Sequence, residues 1–160
     1  MIKKGIALSL TGVLLLAIAA PAAMALMTRD EYKAQVEPIC KKNSEANDKI
    51  LKTVRKEVKE NKLKTAGAKF IKASTALKKT YNELKAVEQP AEDTAKLTKW
   101  LGYVKKEAEL FNSGGKALKA GNKKKAQKFV NQLNSNANKA NAEVLAFGFH
   151  YCKFEPSKYT

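Results

Sequence analysis

The stretch VEPICKKNSEANDKILKTV, residues 36–54, places Val36, Ile39, Ala46, Ile50 and Val54 at helical spacing and holds the first of only two cysteines, Cys40. Apolar residues recurring three and four apart give a helix one core-facing side. The stripe reaches back to Tyr32 and forward to Val58, and Thr28 followed by Glu31 forms a capping box at its start. Pro38 lies inside it, where a missing amide and a ring clash should bend the helix or restart it.

Three more stripes follow. Phe70, Ala73, Leu77, Leu84 and Val87 make the second, with Tyr81 beside it; Leu97, Leu101, Val104, Ala108, Phe111 and Leu118 make the third; Ala126, Phe129, Val130, Leu133, Ala137, Ala140 and Val144 make the fourth. ENKLKT, EQPAED and KAGNK separate them. Pro90 with Glu92 and Asp93 suits a helix start, and Gly121 followed by Asn122 suits a helix end and a new cap. Gly148 fits the final stop. Gly114 and Gly115 are expected to weaken the third helix and kink it. No segment alternates like a strand. The pattern is an all-α, up-and-down antiparallel four-helix bundle.

The second cysteine lies in FGFHYCKF, residues 147–154. An up-and-down bundle returns its last helix to the pole where the first begins, so a Cys40–Cys152 disulfide would close the fold there. A loop of that size contributes about 4–5 kcal/mol on the chain-entropy estimate.

The amino end has Lys3 and Lys4, then the apolar run GIALSLTGVLLLAIAA, Pro21, and Ala23 and Ala25 at the spacing of a processing site. This reads as a secretory signal over residues 1–25 and a single mature domain over 26–160. The protein is expected to be secreted or held in the extracytoplasmic envelope. Were the segment retained, residues 5–27 would be long enough to anchor it in a membrane.

Charge is the strongest compositional signal. Of 31 basic residues, removing Lys3 and Lys4 leaves 29 against 15 acids, a net +14. In the expected topology residues 52–72 and 110–128 share one pole and carry 14 basic residues against Glu57 and Glu60, a net +12. The opposite pole, residues 26–42, 83–96 and 152–160, balances eight against eight. The anion-binding candidates are Lys56, Lys59, Lys62, Lys64, Lys116, Lys119, Lys123, Lys124, Lys125 and Lys128. Such a pole attracts a polyanion: a wall polymer, extracellular nucleic acid or anionic lipid. Only Arg29 and Arg55 are arginines, so base-specific reading through planar forks is not expected. The alternative is a structural or helix-partner envelope protein whose charge serves solubility.

Several further residues suggest family likeness or chemistry. Cys40 followed by Asn43 and Asn47, Pro90 and acids before Trp100 and Leu101, Gly121 and Asn122 opening the last helix, and a terminal Gly148 and Cys152 occur in that order. This order resembles a family of uncharacterised secreted or lipid-anchored helical-bundle proteins found mainly in actinobacteria. The resemblance implies a fold and no catalytic residue. Asn43 and Asn47 interrupt an apolar face, and two readings stand: a small polar pocket shared with Asn141, or buried asparagines that set helix register. His150 with Cys40 and Cys152 could ligate zinc only if both thiols were reduced. Trp100 reads as a packing residue at the edge of the core. Glu107 and Glu109 are too close in sequence to share a helix face. No nucleophile elbow, zincin motif or phosphate loop occurs. The expectation is a binding or structural protein with no catalytic site, metal or cofactor.

Amino-terminal sequencing of the exported protein is expected to begin at Leu26. An intact Met1 in the membrane fraction would identify an anchor instead.

Overall fold

The computed structural model describes residues 26–159. The leader and its expected cleavage site lie outside the described residues. Five α-helices follow in order: α1 Arg29–Leu51, α2 Val54–Lys59, α3 Leu63–Lys85, α4 Thr94–Lys119 and α5 Lys123–Glu143. The short α2 continues the course of α1, so the chain forms an all-α four-helix bundle, with no strand among the described residues.

Local chemistry sets most boundaries. Thr28 and Glu31 form the reciprocal capping box that opens α1. Asn122 accepts the Lys125 amide at 2.9 Å to open α5. Gly121 and Gly148 both take positive φ, 75° and 57°, which only glycine adopts at little cost. The expected restart at Pro38 does not occur, and a break appears where none was expected. Helix α1 runs through Pro38 without interruption; Pro38 and Ala34, whose carbonyl it leaves without a donor, are not buried, so water can satisfy that group. The first stripe breaks instead at Lys52 and Thr53, where the Thr53 hydroxyl donates to Glu57 at 2.9 Å.

Helix α1 packs on α3, α3 on α4, and α4 on α5. Ser74 donates to the Ala108 carbonyl at 2.7 Å inside the α3–α4 interface and fixes its register. Near the far end, Gly114 and Gly115 do not break α4. A Cβ built on Gly115 would stand 2.7 Å from the Gly67 carbonyl oxygen, and one on Gly67 would stand 2.5 Å from that of Gly115. The two glycines let the backbones touch.

The fourth side is built differently. Helices α1 and α5 make next to no direct backbone contact. The C-terminal segment, residues 144–159, lies between them. Cys40 and Cys152 are joined by a disulfide with Cα atoms 5.0 Å apart. The Glu37 carboxylate accepts the His150 and Tyr151 amides, the latter at 2.9 Å. Asn141 pairs with the Phe154 backbone in both directions, at 2.9 and 3.0 Å. Farther along, Arg55 donates to the Ser157 carbonyl and the Tyr159 hydroxyl to Asp48. The tail therefore does not stay at the disulfide pole; it straps the length of the bundle toward α2.

Gly115→Ala should lose about 2–4 kcal/mol in urea denaturation, because its methyl group meets backbone that cannot yield. Gly102→Ala, on the same helix with nothing within 4 Å of its Cβ position, should gain about 0.5–1 kcal/mol.

Candidate functional site

The close α3–α4 approach at Gly67 and Gly115 brings two chain breaks together. The turn before α3 and the turn after α4 face each other across a shallow groove whose walls include Lys62, Lys64 and Lys119. Beside it, α2 and α5 flank a second groove, with Lys59 on one rim and Lys123 on the other. All ten sequence-predicted lysines are exposed. Among the described residues, Glu60 is the only acid ion-paired with any of them: it lies 2.8 Å from Lys62 and 3.8 Å from Lys56. Glu57 is engaged by Lys69. The other eight lysines have no acidic partner among the described residues. Lys123, Lys124 and Lys125 occupy the first turn of α5, where their charge opposes the helix dipole.

Both arginines are occupied elsewhere. Arg29 holds Asp93 through two hydrogen bonds, one of 2.8 Å, and ties the start of α1 to the start of α4. Asp93 is buried, and the guanidinium keeps its carboxyl below the usual range. Arg55 serves the tail.

The interior holds a second group of polar residues. A cavity of about 420 Å³ lies between α1, α3, α4 and the C-terminal strap. Asn43 and Asn47 line it from α1, Thr80 from α3, and Trp100 and Glu107 from α4. Asn47 donates weakly to Asn43 at 3.4 Å, and its own carbonyl oxygen has no partner. The Trp100 indole N–H is likewise without one. Glu107 is 1 % exposed and accepts the Asn136 amide at 2.6 Å; the same Asn136 donates to the Tyr103 carbonyl at 3.0 Å. Burial pushes the Glu107 carboxyl up to about 8, partly offset by Asn136.

Several sequence expectations change here. Trp100 is wholly buried and packs on Phe149 with ring centroids 5.6 Å apart, so it belongs to the core and not to its edge. Asn43 and Asn47 do line a polar cavity, but Asn141 clamps the strap outside it. Comparison with Glu109 alone misses the role of Glu107. Its signal is its spacing, seven residues after Trp100 and three after Val104, beside the apolar stripe; the asparagine-rich run containing Asn136 gives no hint of the partner. The disulfide takes both thiols that zinc ligation with His150 would require, and no metal-binding cluster is present among the described residues.

The sign of the Glu107 shift fixes a pH dependence. Its folded value lies above its ordinary 4.5, so between those values the unfolded chain loses a proton that the folded chain keeps. Stability should fall as pH rises from about 5 to 8 and level off beyond. Glu107→Gln keeps the hydrogen bond from Asn136 without the charge. It should match the wild type near pH 5 and exceed it by roughly 2–4 kcal/mol near pH 8.5 in urea titrations. Equal pH slopes would mean that Glu107 ionises freely.

Against known proteins, no family model, curated protein or solved structure matches this chain, so the resemblance to the actinobacterial helical-bundle family gains no support from them.

Proposed function

We propose that this is an exported protein that works by binding rather than catalysis, and that its lysine-rich end engages a phosphate-bearing polyanion such as a wall polymer, extracellular nucleic acid or anionic lipid surface. The observation that carries this reading is the gathering of ten exposed lysines, from α2 and the facing ends of α3, α4 and α5, with eight left without an acidic partner among the described residues. Lysine offers a mobile point charge without the planar fork of arginine, which suits a repeating phosphate backbone more than a shaped anion. The first turn of α5 adds weight. Three lysines there stand against the helix dipole, a poor choice if solubility alone were served. The disulfide is consistent with an oxidising compartment. Among the described residues no helix is long and apolar enough to cross a membrane.

Replacing Lys123, Lys124 and Lys125 together by glutamate moves the end from +12 to +6. Binding to double-stranded DNA, poly(glycerol phosphate) and anionic vesicles should weaken, and the slope of log affinity against log salt should flatten by about one unit for each phosphate no longer engaged. Stability should hold or rise slightly, because acids suit a helix start. The same reversal at Lys33, Lys85 and Lys96 should leave the salt slope nearly unchanged. Equal losses from both triples would reduce the effect to net charge, and no binding above a scrambled-charge control would favour a structural role.

A further inference from the structure

The groove between α2 and α5 differs from the rest of the lysine end in having an apolar trough. The two helices make next to no direct backbone contact, and about 490 Å³ lies open between them. Phe70 from α3 and Leu118 from α4, both buried, stand behind it. Val58 on α2 and Val130 on α5 are only partly buried, so each offers apolar surface to an occupant. The charged residues lining the groove are Arg55, Lys59 and Lys123, with no acid among them. Their placement gives the groove a direction. Helix α2 ends at Lys59 and α5 begins at Lys123, so these two charges stand at one end, and Val130 lies seven residues or about 10 Å of helix farther in. Tyr159 of the strap lines the inner end, its hydroxyl donating to Asp48, and Arg55 there donates to the Ser157 carbonyl. Lys59 and Lys123 have no acidic partner among the described residues.

A charged mouth on an apolar trough selects its occupant. A phosphate polymer would meet the lysines and leave the trough in water. A neutral hydrocarbon would fill the trough and leave the lysines unpaired, and a cationic amphiphile would meet three like charges. An anionic head on a hydrocarbon chain matches both parts, and the methylene stems of the two lysines extend the apolar wall toward the head. We propose that the α2–α5 groove takes one acyl chain of an anionic lipid, its head phosphate held by Lys59 and Lys123 and its chain running past Val58 and Val130 toward Tyr159. This rests on the reading that the lysine end engages a phosphate-bearing partner, and it names the lipid among them. A chain leaving a bilayer gains little from new apolar surroundings. The head contacts therefore hold the lipid, and the trough ensures that the anion held carries a chain. Seating one chain would set the lysine end against the membrane, where the remaining lysines face neighbouring headgroups.

Alkyl phosphates stand in for one lipid chain. The full, disulfide-intact protein is titrated by calorimetry with octyl, decyl and dodecyl phosphate below their micelle concentrations, and with decanol and inorganic phosphate. The alkyl phosphates should saturate, with Kd tightening about two- to fourfold for each added methylene. Decanol and inorganic phosphate should each bind at least about tenfold more weakly than decyl phosphate. Val130→Gln, which shortens the trough without changing the net charge, should weaken decyl phosphate at least about fivefold and leave poly(glycerol phosphate) affinity unchanged. Val58→Gln serves if that variant does not fold, with the same result expected. Lys59→Gln combined with Lys123→Gln should bring decyl phosphate down to the affinity of decanol. Equal Kd across the three chain lengths, or undiminished decyl phosphate affinity in a folded valine variant, would overturn the acyl site; if poly(glycerol phosphate) still bound, the lysine-end reading would stand without it. Absence of binding to the polymer and the alkyl phosphates alike would remove both.

Discussion

The Cys40–Cys152 bond joins two chain segments that helix packing alone leaves apart. Helices α1 and α5 do not close on each other, so the fourth side of the bundle depends on the strap of residues 144–159. Ordering each backbone residue costs about 1–2 kcal/mol, and the strap beyond Gly148 contains no α-helix to offset that cost. Its anchors are few: Glu37, Asn141, Arg55 and Asp48, besides the apolar burial of Phe147, Phe149 and Pro156. A covalent link that closes a loop of 112 positions removes much of the unfolded-state freedom against which those contacts compete. The cavity behind the strap exists because a strap, and not a helix, covers that side.

The same division of labour appears in the charges. Each arginine, the side chain able to hold an acceptor in a fixed plane, fastens one part of the fold to another: Arg29 to buried Asp93, Arg55 to the strap carbonyl. The lysines at the far end fasten almost nothing. Self-repulsion among them is borne by the packing beneath, where Gly67 and Gly115 meet and Leu63, Phe70 and Leu118 are buried. The glycine contact also sets the position of the lysines, since a wider α3–α4 separation would part Lys62 and Lys64 from Lys119.

The helices, their order and the disulfide were legible because amphipathic period, caps and the up-and-down rule are local or follow from short connections. What escaped was set by neighbours. Helix α4 packs against both α3 and α5, so it buries a wider arc than the single stripe that includes Leu97 and Leu101, and Trp100 and Glu107 fall inside the extra arc. Pro38 could not be resolved by its own chemistry, because its cost depends on whether the carbonyl one turn back meets solvent. The glycines of α4 look like weak helix formers until the opposing Gly67 is known. Beyond Gly148 the strap has no period at all; only its cysteine marked that stretch as part of the fold.

The lysine end and the buried polar cluster around Glu107 occupy different stretches of one helix. Glu107 and Lys119 both lie on α4, twelve residues or about 18 Å apart, roughly twice the screening length of about 8 Å at physiological salt. Salt screens exposed charges over that distance, but a buried group such as Glu107 is screened much less. Two elements reach both regions: α4, whose contact at Gly67 and Gly115 fixes the lysine end and whose Trp100 and Glu107 line the cavity, and Tyr159, which lines both the cavity and the groove between α2 and α5.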